Sequence, residues 1–157
     1  MGKEKMKENI LFGSSFETSL RILMLLDELN LALDKNQISY IDFMAIYGAD
    51  FDLLDENLHG NGLFRFSEFS AKSLVITEAL KHLVVDSLVS FVSTPAGYSY
   101  IINDIGKNAI ARISDSYEKE YRIAVRAVQN AFPNFCSDQM QQKIFNTTIS
   151  SLEVEDE

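Results

Sequence analysis

Four carboxylates crowd into seven residues of this chain, Asp50, Asp52, Asp55 and Glu56 in GADFDLLDENLHG. Carboxylates alternating along a loop suggest calcium binding, but the spacing does not supply it. A calcium loop beginning at Asp50 needs an oxygen ligand at its fifth position, Gly at its sixth and Glu at its twelfth. Those positions hold Leu54, Asp55 and Asn61, so the cluster reads as an acidic surface loop. His59 follows as a lone imidazole, a type that hydrogen-bonds within a loop more often than it ligates. His82 has no Cys or second His at zinc-ligand spacing. Cys136 is the single cysteine, which excludes an internal disulfide, fits a reducing compartment and reads as a small packing residue. No strand-Ser-helix elbow flanked by glycines activates a serine, and no glycine-rich loop cradles phosphate. The chain reads as a non-enzyme with no cofactor and no metal.

The elements that must position these residues are mainly helical. Leu20, Ile22, Leu23, Met24, Leu25, Leu26 and Leu29 predict a helix capped near Ser15, with Thr18 in support. It is apolar on nearly all sides, so it must be central to a core or clamped by a partner. Leu31 and Leu33 predict a short extended piece, and Asp34 then caps a second helix carrying Ile38, Ile41, Phe43, Met44, Ala45 and Tyr47 and ending near Gly48. Residues 49–65 form a loop of about 17 residues where a DNA-reading helix-turn-helix has a turn of about three or four. Long ordered loops often carry function. A helix over 66–89 follows, anchored by Phe66, Phe69, Leu74, Ile76 and Leu80, with Ser67 as its cap and Ser73 or Thr77 marking a break.

Residues 80–112 carry the most informative order. Leu80, Leu83, Val84 and Leu88 make one helical stripe. Val89, Phe91 and Val92, and then Tyr98, Tyr100, Ile101 and Ile102, predict two strands around Ser93, Thr94, Pro95, Ala96 and Gly97. Asn103 or Asp104 caps a helix beginning near Ile105. Helix, strand, turn, strand and helix in that order predict a winged helix. Further helices over 117–132 and 137–152 complete the chain. The expected organisation is a disordered leader (1–13), a winged-helix-like domain (14–113) with long loop 49–65 and wing 88–102, C-terminal helices (114–152) and an acidic tail (153–157). The fold class is mainly α with a small β-hairpin.

Charge argues against the DNA binding that winged helices usually perform. The chain has 14 Lys plus Arg against 23 Asp plus Glu, a formal net charge of -9, whereas DNA affinity comes from clustered basic residues neutralising phosphates. From 85 to 103 the one charged residue is Asp86, so the wing offers phosphate nothing and suits protein contact. With 46% hydrophobic and 24% charged residues the chain has a globular balance. No apolar run reaches the roughly 18 residues of a membrane span, and the amino terminus lacks a signal-peptide core. A cytoplasmic protein with no membrane contact is expected.

The series FETSLRILMLLDEL, ISYIDFMAIYGADF, NLHGNGLFRFSEFSAKSLVITEALKHLVVDSLVSF and GYSYIINDIGKNAI resembles the middle component of the ABC-ATPase three-component systems. That group includes Lamassu-like antiphage defence. The resemblance covers about residues 16–132 and rests most on Tyr40, Asp42, Asp50, Asn57, Leu58, His59, Arg65, Glu68, Ser116 and Tyr117. Gly60 stands where the pattern leads one to expect Pro, and Lys72-Ser73 replaces a more basic pair. The resemblance implies a bacterial, non-catalytic subunit that joins an SMC-like ABC ATPase to an effector of the same operon, often a nuclease.

Residues and resemblance together give one expectation. A broad apolar helix pair, an uncharged wing and an aromatic loop leave surface for partners, with Phe51, His59, Phe64, Arg65, Phe66, Phe91, Tyr98 and Tyr100 as the candidate contacts. Arg65 either pairs a partner carboxylate or braces Asp50 or Asp52. No sequence-specific DNA binding is expected of the chain alone, and self-association is compatible with this reading. The rival is a stand-alone winged-helix transcription regulator, which requires DNA binding that weakens steeply with salt.

Overall fold

A computed structural model of the chain describes residues 15–60 and 67–155. Among the described residues it forms six α-helices and one three-stranded antiparallel sheet, the mainly helical class expected from the sequence. In chain order these are α1 (Glu17–Leu29), β1 (Leu33–Asp34), α2 (Lys35–Ile46), α3 (Phe69–Val85), β2 (Val89–Thr94), β3 (Gly97–Ile102), α4 (Asp104–Ile110), α5 (Ser116–Ala131) and α6 (Ser137–Glu155). A 3-10 turn, Gly48–Phe51, follows α2. β3 lies at the centre of the sheet, with Leu33 opposite Tyr100 on one side and Phe91 opposite Tyr100 on the other. The expected leader (1–13) lies outside the described residues, as do Phe64, Arg65 and Phe66.

Side chains that satisfy loose backbone amides set several helix starts. Asp34 caps α2 as expected: its carboxylate accepts from Gln37 N at 2.8 Å, while Gln37 Oε1 accepts from Asp34 N at 2.9 Å. Gln37 Nε2 also donates to Phe135 O at 3.0 Å, so one side chain both closes the cap and pins the α5–α6 link. Asn103 caps α4 and Asp115 caps α5. The cap expected at Ser15 is not made. α1 follows Phe16 without a side-chain cap, and the Thr18 hydroxyl accepts from Arg21 instead. Nor does Ser67 cap α3, whose N-cap residue is Glu68. The break expected at Ser73 or Thr77 is absent too, because Thr77 Oγ1 donates back to Ser73 O at 3.0 Å and satisfies its hydroxyl within the helix. α3 is shorter than 66–89, since the chain leaves the helix through Ser87 at φ 63°. α6 is longer than expected, running to Glu155.

α1 is the central helix. Ile22, Leu25 and Leu26 are fully buried, and α2, α3, α4 and α5 all pack on it. α2 is covered in turn by α3, α5 and α6. The wide apolar coverage of this pair, expected to serve partners, is therefore consumed within the chain. Tyr121, Ala124, Val125 and Val128 of α5 and Met140 and Ile144 of α6 belong to the same core as α1 and α2. Arg122 fastens α5 to α1 through Asp27 at 2.8 Å and Glu28 at 3.2 Å, and also bonds Glu118.

The hairpin projects from this core and is anchored at its base. Asn103 Nδ2 donates to Ser87 O at 2.7 Å, and Asn103 N to Leu88 O at 3.2 Å. α4 comes so close here that a Cβ on Gly106 would lie 2.2 Å from Leu88 O. Gly106→Ala should therefore lower stability by about 2 kcal/mol or more, because the opposing atom is backbone and cannot swing aside. Thermal denaturation reads the effect, and an unchanged melting temperature would contradict the close approach.

Candidate functional site

The interior holds a polar network that joins three helices. Arg21 of α1 sits among leucines, and its Nε donates to Asp42 Oδ1 of α2 at 3.0 Å while Nη2 reaches Asp42 Oδ2 at 3.4 Å and Thr18 Oγ1 at 3.3 Å. Tyr121 of α5 donates its hydroxyl to the same Asp42 Oδ1 at 2.7 Å. Asp42 is 1% exposed. Burial alone would push its carboxyl up, but the Arg21 charge, with hydrogen bonds from Arg21 and Tyr121, outweighs that and holds it below the usual carboxylate value. Burial works against the Arg21 cation in the same way, and Asp42 more than compensates. The Tyr121 hydroxyl is pushed well up by burial and by Asp42, so it stays protonated and acts as a donor.

The network continues outward to His59, whose Nε2 lies 2.7 Å from Tyr117 OH. Burial and the Arg21 charge lower the His59 pKa from 6.5 to about 4, which leaves a neutral imidazole. Tyr117 stacks on Tyr121 with ring centroids 6.3 Å apart. A cleft of about 270 Å³ opens above Arg21 and His59, lined also by Glu17, Thr18, Glu68 and Lys72. Its two acids and two bases are already engaged: Glu17 lies 3.8 Å from Arg21 and Glu68 3.9 Å from Lys72. The network is a brace, because Arg21, Asp42 and Tyr121 bond one another across three helices. Among the described residues no group of three or more His, Cys, Asp or Glu is placed to hold a metal ion.

The surface offers a different kind of site. α3 and the hairpin enclose an apolar groove of about 340 Å³ lined by Leu80, Lys81, Val84, Val85, Phe91, Tyr98 and Tyr100. The antiparallel register explains the grouping. Phe91 pairs with Tyr100 and Ser93 with Tyr98, and alternate residues share a face, so Phe91, Tyr98 and Tyr100 all lie on the side nearer α3. Phe91 and Tyr98 meet edge to face at 5.6 Å. Phe91 is 53% exposed, Tyr98 60% and Val85 79%. The one charged side chain of the lining, Lys81, pairs with Glu78 at 3.5 Å.

The sequence-derived candidates thus separate. Phe91, Tyr98 and Tyr100 come together in the groove. His59 belongs to the inner brace. Phe51 is 2% exposed and packs edge to face on Phe43, so it is a core residue and not a surface anchor. In the loop expected to be functional, Asp50 is braced by Asn57, whose Nδ2 donates to Asp50 Oδ2 at 3.0 Å, while Asn57 Oδ1 accepts from Ala49 N. Residue reading missed Arg21 altogether. The available signal was a basic residue in the apolar run of α1 facing one acid, Asp42, in the apolar run of α2.

Two outcomes follow. Asp42→Asn should cost about 3–5 kcal/mol in urea unfolding, because Arg21 is left buried without a counter-charge. The combined replacement Arg21→Met, Asp42→Leu, Tyr121→Phe should recover most of that loss; a triple variant no better than Asp42→Asn would contradict the brace. The unfolded chain protonates His59 first as pH falls, so its stabilising contribution is whole above about pH 6.5 and is lost towards pH 4. Discounted for partial exposure, the loss is about 2 kcal/mol, and His59→Gln should flatten that part of the stability profile.

The family model of the ABC-three component (ABC-3C) system Middle Component 2 matches residues 11–153. No curated protein and no solved structure matches the chain. A middle component has partner components in the same system. Among the described residues no helix is long and apolar enough to cross a membrane. With nearly its whole length matched, the chain belongs to the ABC-three component system Middle Component 2 family.

Proposed function

We propose that this chain is a non-catalytic accessory subunit of a bacterial, Lamassu-like antiphage defence complex. It bridges an SMC-like ABC ATPase and an effector such as a nuclease through protein-protein contacts in the cytoplasm. The observation that carries this reading is the exposed groove of Phe91, Tyr98, Tyr100 and Val85, apolar and nearly uncharged on a chain of net charge -9. Exposed aromatic side chains around a concave apolar surface are what protein interfaces use as anchors. Phosphate recognition would need basic residues that the hairpin does not have.

The element order from α1 to α4, with β3 between β1 and β2, supports reading residues 14–113 as a winged-helix-like domain whose wing is 88–102, followed by the C-terminal helices 114–152. In this reading the wing has been turned from nucleic acid to protein. Arg65, Phe64 and Phe66 are proposed contacts of the neighbouring loop.

Co-expression with the other two components of the system tests the proposal. The double variant Phe91→Ser, Tyr98→Ser replaces two exposed side chains, so it should fold normally by circular dichroism and still lose at least tenfold in recovery of a partner, about 1.4 kcal/mol. Full recovery with an intact fold would sink the groove as the docking surface. A gel shift with the isolated chain at about 0.05 M and 0.15 M salt should show no retarded DNA; sequence-specific retardation would favour a regulator instead.

A further inference from the structure

β2 is an edge strand. β3 occupies the centre of the sheet, and among the described residues no strand pairs with the outer side of β2. Every residue of β2 after Val89 is exposed. An edge strand presents a row of unpaired N–H and C=O groups, which proteins commonly blunt with Lys, Pro, a bulge or a covering element. VSFVST has no charge and no Pro. Its register with β3 is unbroken from Val89↔Ile102 to Thr94↔Gly97, so it has no bulge. The same strand carries Phe91, which lines the apolar groove against Val84 and Val85 of α3.

We infer that the groove is filled by an extended, uncharged strand of another component of the system, added to the free edge of β2 as a fourth strand. This rests on the groove being a docking surface and names what docks there. The backbone edge selects an extended segment, since a helix has no free amides along its side to offer it. The groove selects apolar side chains at alternate positions, those that fall on the Phe91 face. Charge selects the source. A second copy of this chain would bring a further net charge of -9 against the first, which opposes close approach. The groove itself carries Lys81, tied to Glu78, so a neutral strand with at most a carboxylate at the Lys81 end complements it.

Hydrogen exchange read residue by residue, on the full chain alone and in complex with its co-expressed companion components, tests the inference. Strand addition slows exchange at alternate amides of β2 by at least tenfold and leaves β3, already flanked by two strands, little changed. If β2 amides exchange at the free-chain rate in a complex that Phe91→Ser still disrupts, strand addition is overturned and the groove as a docking surface stands. If Phe91→Ser leaves the complex intact as well, both are overturned. Protection of β2 in the isolated chain that grows with concentration, together with a dimer in sedimentation, would assign the edge to a second copy and overturn the inference as stated.

Discussion

The buried pair of Arg21 and Asp42 is the contact on which the rest of the structure depends. A guanidinium and a carboxylate taken out of water are tolerated only when each satisfies the other and the remaining hydrogen-bond capacity is filled. Here Thr18, Tyr121 and Glu17 contribute to the remainder. The consequence is geometric: α1, α2 and α5 have one mutual arrangement in which nothing charged is left unpaired. Apolar packing alone is less selective, because leucine-rich helices can slide against one another at modest cost. The rows of Leu and Ile supply most of the burial, and the polar contact specifies the register.

That arrangement decides what remains for other molecules. α3, α4 and α5 close over α1, and α3, α5 and α6 over α2, so the most hydrophobic segments of the chain have no surface to lend. The acidic loop is likewise tied inward through Asn57, and His59 through Tyr117. The hairpin, by contrast, is held at its base by Asn103 and by the close approach of Gly106, and it extends away from the core. Tyr100 packs against the core, but Phe91 and Tyr98 are exposed and are not needed to fill the interior. Large exposed apolar side chains on a rigidly anchored projection have little structural purpose of their own, which is the physical case for a partner.

Much of the fold was legible in the sequence because it depends on local patterns. The hairpin was legible from β-branched and aromatic runs on either side of Pro95, and the starts of α2 and α4 from Asp34 and Asn103, residues that bond amides three positions on. That Tyr98 and Tyr100 share a face follows from strand periodicity, whereas the register Phe91↔Tyr100, which brings Phe91 to the same face, came from the structure. Where local patterns failed, a longer-range or competing bond was responsible. Thr18 bonds Arg21 instead of supporting a cap, and Thr77 satisfies itself within α3 where a break was expected. Phe51 was misread because an aromatic residue in a polar loop looks the same in sequence whether it points outward or, as here, inward against Phe43.

By itself, then, the sequence determined the mainly helical class, the hairpin, the absence of basic residues from it and the resemblance to a middle component. These depend on residue type and on spacings of a few positions. Only the tertiary structure decided that the apolar breadth of α1 and α2 is spent on the helices packed around them, α3, α4 and α5 on α1 and α3, α5 and α6 on α2, that Arg21 finds Asp42 twenty-one residues away and Tyr121 closes on it from seventy-nine, and that β2 is left at the edge of its sheet. Each of these turns on which distant segments meet, and pairing across such separations is set by the joint satisfaction of packing and buried charge, which no local window contains.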